Sequence, residues 1–104
     1  PGRAFRRAAE AAWAAGERVV LMGAPRDLRF LSRRAARLLG REAAAAASWD
    51  EVTAATPGAL LCLPMPCDRG FRRSGVLAVA AADLLGSRAR RGDEGAAALS
   101  ALPT

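Results

Sequence analysis

The sequence contains no lysine, histidine, tyrosine, isoleucine, asparagine or glutamine. Without lysine it cannot carry the phosphate-binding loop G-x-x-x-x-G-K or form a Schiff base. Without histidine it has no imidazole for a Ser/His or Cys/His couple or for a zinc site. A self-sufficient enzyme is therefore not expected, and no catalytic residue, cofactor or metal ion is assigned to this chain.

The chain is 104 residues long, enough for one domain, and much of its 52% hydrophobic content is alanine. A core this poor in bulky side chains is expected to be thin and to rely in part on neighbouring domains. We expect an α/β domain over residues 1–91 and a flexible linker or tail over residues 92–104, where glycine and alanine dominate.

All 16 basic residues are arginine, against ten acidic residues, which gives a net charge of +6. Such a surplus is typical of chains that bind phosphate backbones or acidic partners. A very GC-rich genome would produce the same bias toward arginine, alanine and glycine. The spacing of Arg29, Arg33 and Arg37 fits either a solvated helix face or a binding surface.

Cys62 and Cys67 form a C-x4-C pair. Two thiols cannot complete a four-ligand metal site in a chain without histidine. We predict a buried thiol in a strand and an unrelated one in the loop after it, rather than a redox pair.

No apolar run reaches the roughly 18 residues of a membrane span, because Asp83 interrupts the longest candidate. No signal peptide is visible. We therefore expect a cytoplasmic protein with no membrane partner.

The first half of the chain predicts helix, strand, helix. Residues 4–15 have helical periodicity and end at Gly16, and the apolar run 19–22 is typical of a strand covered on both faces. A second helix starts near Pro25 and Asp27 and ends at Gly40. One stripe of it is expected to face the core: Leu28, Leu31, Ala35 and Leu38. Residues 41–47 are predicted as a loop or short helix.

The second half predicts a short helix and two more strands. Ser48 and Glu51 have capping-box spacing, and residues 59–63 form a strand halted by prolines. Residues 75–82 are read as a buried strand rather than a helix, which makes 67–75 a crossover loop. Asp83 then lies at the carboxyl end of that strand, where open α/β sheets usually keep working residues. This alternation predicts an α/β fold with a small, mostly parallel sheet flanked by helices.

The order of short motifs resembles the amino-terminal UvrB-like module of the bacterial transcription-repair coupling factors (Mfd). The resemblance covers residues 4–91 and rests on these segments: RVVLMG, ARLLG, SWDEV, PG, RGF, a hydrophobic strand and DLLGSR. Gly70 and Phe71 occupy the family's Gly-Phe positions, and Asp83 and Gly86 match its later acidic-Leu-x-Gly segment. Ala81 replaces a usual glutamate, the usual proline before the strand is missing, and Arg72 and Arg73 stand where apolar residues are common.

The resemblance implies a three-layer RecA-like half-domain that lacks a nucleotide site. In that family an ATP-driven DNA translocase, using ATP and Mg²⁺ elsewhere in the parent chain, displaces stalled RNA polymerase. The UvrB-like module helps to recruit UvrA for nucleotide excision repair. This chain would then act as a scaffold and make autoinhibitory contacts with neighbouring domains, with DNA, UvrA and RNA polymerase as partners through the parent chain.

Within this picture Phe71 is expected to lock the crossover loop to the sheet, and Gly70 to give the turn its backbone freedom. The arginines around the strand are expected to face DNA phosphate or an acidic partner surface; they are Arg72, Arg73, Arg88, Arg90 and Arg91.

Two other functions remain open. The strand order also resembles the second RecA-like domain of superfamily 2 helicases, where Arg88 or Arg91 would reach the nucleotide, although the usual run of glycine and arginine around such a residue is absent. A small basic nucleic-acid-binding α/β domain is the other alternative, with few aromatic residues for base stacking.

Overall fold

The computed structural model of the chain describes residues 2–84. These residues form one five-stranded sheet with helices on both faces. The helices are α1 (Gly2–Ala14), α2 (Pro25–Leu39) and α3 (Trp49–Ala54). The strands are β1 (Arg18–Met22), β2 (Ala43–Ala45), β3 (Leu60–Leu63), β4 (Phe71–Arg73) and β5 (Val76–Ala80), followed by a 3₁₀ helix over Ala81–Leu84.

The strands lie in the order β2-β3-β1-β5-β4. The first four are parallel, and only the edge strand β4 runs antiparallel, against β5. The expected small, mostly parallel α/β sheet flanked by helices is thus confirmed. The expected domain boundary at residue 91 and the tail 92–104 lie outside the described residues.

The architecture depends on whether residues 75–82 form a strand or a helix. Strand β5 is extended and buried, as predicted. Leu77 is paired with Val19 and Val79 with Leu21 in parallel register, and all five residues of β5 are buried. The strand ends at Ala80 rather than Ala82, because the chain turns there into the 3₁₀ helix. Gly23 permits this close turn, since a Cβ on Gly23 would lie 3.1 Å from the Cβ of Ala81.

Helices α1 and α2 also match their predictions. Phe5, Ala9 and Ala12 are the buried residues of α1. Helix α2 starts at Pro25, and Gly40 caps its end in the left-handed conformation (φ 65°), donating its N–H to the carbonyl of Ala36.

The two short strands β2 and β4 are not predicted by the sequence pattern. Residues 41–47 were predicted as a loop or short helix, but Ala43–Ala45 pairs with β3, and the N–H of Ala46 donates to the carbonyl of Cys62 at 2.9 Å. Alanine favours a helix, and the hydrogen bonds offered by β3 override that preference. The predicted crossover loop 67–75 likewise contains β4, which pairs with β5 as a hairpin.

The sheet separates two apolar layers. Helices α1 and α2 cover one face together with Val19, Leu21, Leu77 and Val79. Helix α3 covers part of the other face, where Val52 packs with residues that include Val20, Leu61 and Val76. None of the helices in residues 2–84 combines the length and the apolar character that crossing a bilayer would need.

At the amino edge of the sheet, Trp13 joins α1 to the start of β3. Its indole N–H donates to the carbonyl of Ala59 at 3.2 Å. The guanidinium of Arg41 lies 3.7 Å from the centre of the Trp13 ring and donates a hydrogen bond to the carbonyl of Gly58. Trp13 is thus held on two sides.

The predicted capping box begins α3. The N–H of Glu51 donates to Ser48 Oγ at 3.2 Å, and Glu51 Oε1 accepts from the N–H of Ala47 at 3.2 Å.

Replacing Ser48 with alanine should lower the free energy of unfolding by about 1 kcal/mol, because one donor of a six-residue helix loses its partner. Urea denaturation checks this against Thr56→Ala, an exposed position outside α3 that should change little. Equal losses in the two variants would contradict it.

Candidate functional site

The connections leaving β1 and β3 diverge at the carboxyl edge of the sheet. Strand β1 leads into α2 on one face, whereas the segment after β3 carries Cys67 and Phe71 onto the opposite face, beside α3. Neighbouring parallel strands whose connections part in this way leave a crevice, the usual place for a ligand in an open α/β sheet.

A cavity of about 410 Å³ lies on the α3 side of this crevice. Its lining is apolar and aromatic with charged groups around it: Met22, Trp49, Met65, Pro66, Cys67, Asp68, Arg69, Phe71 and Arg73. Met65 is 42% exposed, so an apolar side chain already faces solvent at this opening. We call this the carboxyl-edge cavity.

Phe71 and Trp49 form an aromatic wall of the carboxyl-edge cavity. Their ring centres lie 5.8 Å apart with a 30° tilt between the planes, and the Arg73 guanidinium carbon lies 4.7 Å from the centre of the Trp49 ring. Phe71 is half-buried against the apolar layer of this face and pairs with Ala78. It therefore packs the segment after β3 onto the sheet, as expected, but from within a strand.

Gly70 does not supply the turn of the hairpin. It is buried immediately before β4, and the left-handed backbone angles belong to Ser74 (φ 55°) and Gly75 (φ 72°), which connect β4 to β5. The predicted role of Gly70 concerns the earlier turn that leads into Phe71, and it stays a prediction.

The two predicted arginines that the structure describes, Arg72 and Arg73, do not share one surface. Arg72 alternates with Phe71 and Arg73 along β4, so it points to the other face. There its Nη2 lies 3.0 Å from Glu17 Oε1, with side chains only 13% and 16% exposed, so Arg72 is not free for a partner's phosphate. Arg73 is exposed at the cavity. Arg88, Arg90 and Arg91, with Gly86 of the family motif, lie outside the described residues.

Cys62 and Cys67 are both free thiols, in a strand and in the following loop as predicted. Burial raises the pKa of the Cys62 thiol despite its hydrogen bond with Ser32. Burial also raises the pKa of Cys67, and the carboxylates of Asp83 and Asp68 raise it further. The Cys67 thiol donates a 3.0 Å hydrogen bond to the carbonyl of Arg69, which likewise favours the protonated form. Both thiols are thus held in the protonated form, which is poorly nucleophilic.

Asp83 lies in the 3₁₀ helix just beyond β5, at the carboxyl edge of the sheet. Its Oδ2 is buried and has no hydrogen-bond partner among the described residues. Burial raises its pKa above the ordinary value of 3.8. The folded state therefore holds this proton more tightly than the unfolded state, so the carboxylate destabilises the fold at neutral pH.

Replacing Asp83 with asparagine should remove this pH dependence. In the unchanged protein the buried Asp83 carboxyl costs no stability below pH 3.8, and this cost grows as pH rises from 3.8 through the raised folded pKa. The stability of the variant relative to the unchanged protein should therefore increase across that window. Urea denaturation at a series of pH values from 3 to 7 measures it, and a pH-independent difference would contradict it.

The sequence pattern alone gives no site role to Trp49, Met65 or Arg69. The structure brings all three to the cavity. The capping box placed Trp49 at the first position of α3, but its contact with Phe71 depends on β4, which the sequence did not reveal.

Comparisons with protein-family models, curated proteins and solved structures found no match for this chain.

Proposed function

We propose that this chain is a non-catalytic, RecA-like module of a transcription-repair coupling factor, resembling its UvrB-like part. The parent chain would be an ATP-dependent DNA translocase of the cytoplasm that displaces stalled RNA polymerase and recruits nucleotide excision repair. The module would act by docking against neighbouring domains and through them on UvrA and RNA polymerase.

The turn between β1 and α2 carries this proposal. Nucleotide phosphates in such sheets bind at the amino terminus of the helix after the first strand, where free N–H groups converge. Here the turn is Gly23-Ala24, and α2 begins at Pro25, which has no N–H to donate. Asp27 adds a negative charge in the first turn. The position where a motor domain would hold ATP is thus ill suited to phosphate.

The carboxyl-edge cavity supplies a docking surface for a neighbouring domain. Its aromatic wall suits an apolar side chain, and the guanidinium groups of Arg69 and Arg73 suit a carboxylate beside it. We therefore expect the occupant to be an apolar residue flanked by an acidic one in another domain of the parent chain.

Nucleotide binding tests the non-catalytic role. A fluorescent ATP analogue with Mg²⁺, titrated into the 104-residue chain and into its complex with the rest of the parent protein, should show no site that depends on this module. Removing residues 1–91 from the parent should impair UvrA recruitment and leave the ATPase of the isolated motor intact. A nucleotide site lost on replacing Arg88 or Arg91 would instead indicate the second motor domain of a helicase.

Docking at the cavity is tested by charge reversal. Arg73→Glu should weaken association with the other domains of the parent chain at least tenfold, because it repels the expected carboxylate. Arg3→Glu, on α1 and away from the cavity, makes the same charge change and should have little effect. Equal effects of the two changes would contradict docking at this cavity.

A further inference from the structure

The outer side of α1 and α2 carries a dense array of arginines. Both helices cover the same face of the sheet, so their exposed sides point away from it together. Eight exposed arginines lie there, and we call them the basic face: Arg3, Arg6, Arg7, Arg26, Arg29, Arg33, Arg34 and Arg37. The acidic residues on the same two helices are Glu10 and Asp27.

Almost all of this charge is unpaired in the part of the chain that the structure describes. Arg6 lies 3.5 Å from Glu10, with both side chains more than 60% exposed. The other seven arginines have no acidic partner within residues 2–84. Because Arg29, Arg33 and Arg37 follow one another at i, i+4 spacing, they repel one another and weaken the helix that carries them.

The position of the charges is also unfavourable for the helix itself. Arg26 lies in the first turn of α2, where the helix dipole favours negative groups. Arg37, in the last turn of α2, is favourably placed, but the array as a whole contributes little to folding, whereas a polyanion would relieve the repulsion on binding.

We propose that the basic face binds the phosphate backbone of duplex nucleic acid without reading its sequence. From Arg26 to Arg37 the helix rises about 16 Å at 1.5 Å per residue. Duplex DNA carries one charge per 1.7 Å of axis, so about ten phosphate charges lie along the same length. Guanidinium groups bind phosphate oxygens in pairs, and a regular row of cations matches a regularly charged polymer.

The composition of the chain restricts base reading. Adenine is read mainly by bidentate asparagine or glutamine in the major groove, and the chain has neither amide. The eight arginines are spread over two helices rather than grouped on one helix that could enter a groove, so we assign them to the backbone. Phe30, 51% exposed, is the large apolar side chain on α2 that faces solvent. A helix that lies in a membrane interface needs a whole apolar side, and the apolar sides of α1 and α2 are buried against the sheet.

The basic face includes Arg29, Arg33 and Arg37, whose spacing in the sequence fits a solvated face or a binding surface. It does not include the arginines expected around β5, of which Arg72 is already engaged by Glu17. The inference goes beyond the proposed docking function and does not depend on it, because nucleic-acid binding and domain docking use opposite faces of the sheet.

Fluorescence anisotropy with a labelled 20-base-pair duplex of arbitrary sequence, from 25 to 200 mM salt, tests the proposal on the 104-residue chain. Three double variants make the same charge change at different places: R33Q/R37Q on the basic face, R69Q/R73Q at the cavity, and R90Q/R91Q beyond the described residues. Circular dichroism confirms that each variant is folded, which is expected because Arg33, Arg37, Arg69 and Arg73 are exposed.

We expect R33Q/R37Q to weaken binding at least fivefold at 50 mM salt and to reduce the slope of log K against log salt by about 2, since each phosphate contact contributes about 0.9. The other two variants should lose less than twofold. Equal losses in all three would show attraction to net charge alone and overturn the proposal. So would a loss confined to another pair, absence of binding at 25 mM salt, or binding to anionic lipid vesicles in place of the duplex.

Discussion

Replacing Leu77 with alanine should lower the free energy of unfolding by about 3 kcal/mol, within the range for buried leucine deletions. Leu77 is fully buried on an interior strand of the sheet, where β5 pairs with the central strand β1 and both strands meet α1. Neighbouring alanines such as Ala9 and Ala12 cannot extend to fill the space. Since the free energy of unfolding of small domains is only about 5–15 kcal/mol, the loss should be visible as a large fall in the urea concentration at the unfolding midpoint.

Phe30→Ala is the matched control for that measurement. Phenylalanine is larger than leucine, but Phe30 is 51% exposed, so its removal should cost less than about 1 kcal/mol. A Leu77→Ala loss no greater than that of the control would mean that β5 is not a buried interior strand of the sheet.

Arg72→Met should cost about 2–3 kcal/mol, because it leaves the largely buried Glu17 carboxylate without its positive partner. Glu17→Gln should lower the free energy of unfolding by a similar amount, because it leaves the largely buried Arg72 guanidinium without its negative partner. The double variant should lose less than about 1 kcal/mol, since the desolvation of both charges disappears with them. Glu17 Oε1 and Arg72 Nε make no hydrogen bond among the described residues, so few other contacts are lost. Urea denaturation of the four proteins gives the coupling energy.

The exposed pair Arg6 and Glu10 serves as the reference for this cycle. Both side chains are more than 60% exposed, and Glu10→Gln should change stability by no more than about 0.5 kcal/mol. Additive losses for Glu17 and Arg72 would show that the two charges do not interact.

The main elements of the fold were predictable because each had a strong local signal. The apolar run 19–22 bounded by glycines, the prolines after Leu63, and Ser48 with Glu51 three residues later all act through nearby atoms. The strands β2 and β4 had no such signal. Three alanines and the triplet Phe71–Arg73 become strands only because β3 and β5 offer them hydrogen bonds from distant parts of the chain.

The carboxyl-edge cavity was harder to predict than the fold, because it depends more on these hydrogen bonds between distant parts of the chain. Without β4, Arg72 and Arg73 looked equivalent, yet alternation along a strand sends one to Glu17 and the other to Trp49. The roles of Met65 and Arg69 follow from the path of the loop after β3, which no spacing in the sequence specifies. Helix α2 was the reverse case, since its periodicity placed Arg29, Arg33 and Arg37 on an exposed side correctly.

The two tryptophans report on different regions of the molecule. Trp13 is clamped at the amino edge by Arg41 and the carbonyl of Ala59, whereas Trp49 borders the carboxyl-edge cavity under Arg73. With no tyrosine in the chain, its emission comes from these two indoles almost alone. Acrylamide should therefore quench the two indoles differently when the cavity is filled. An occupant of the cavity should shield the fluorescence lifetime component of Trp49 from acrylamide and leave the component of Trp13 unchanged.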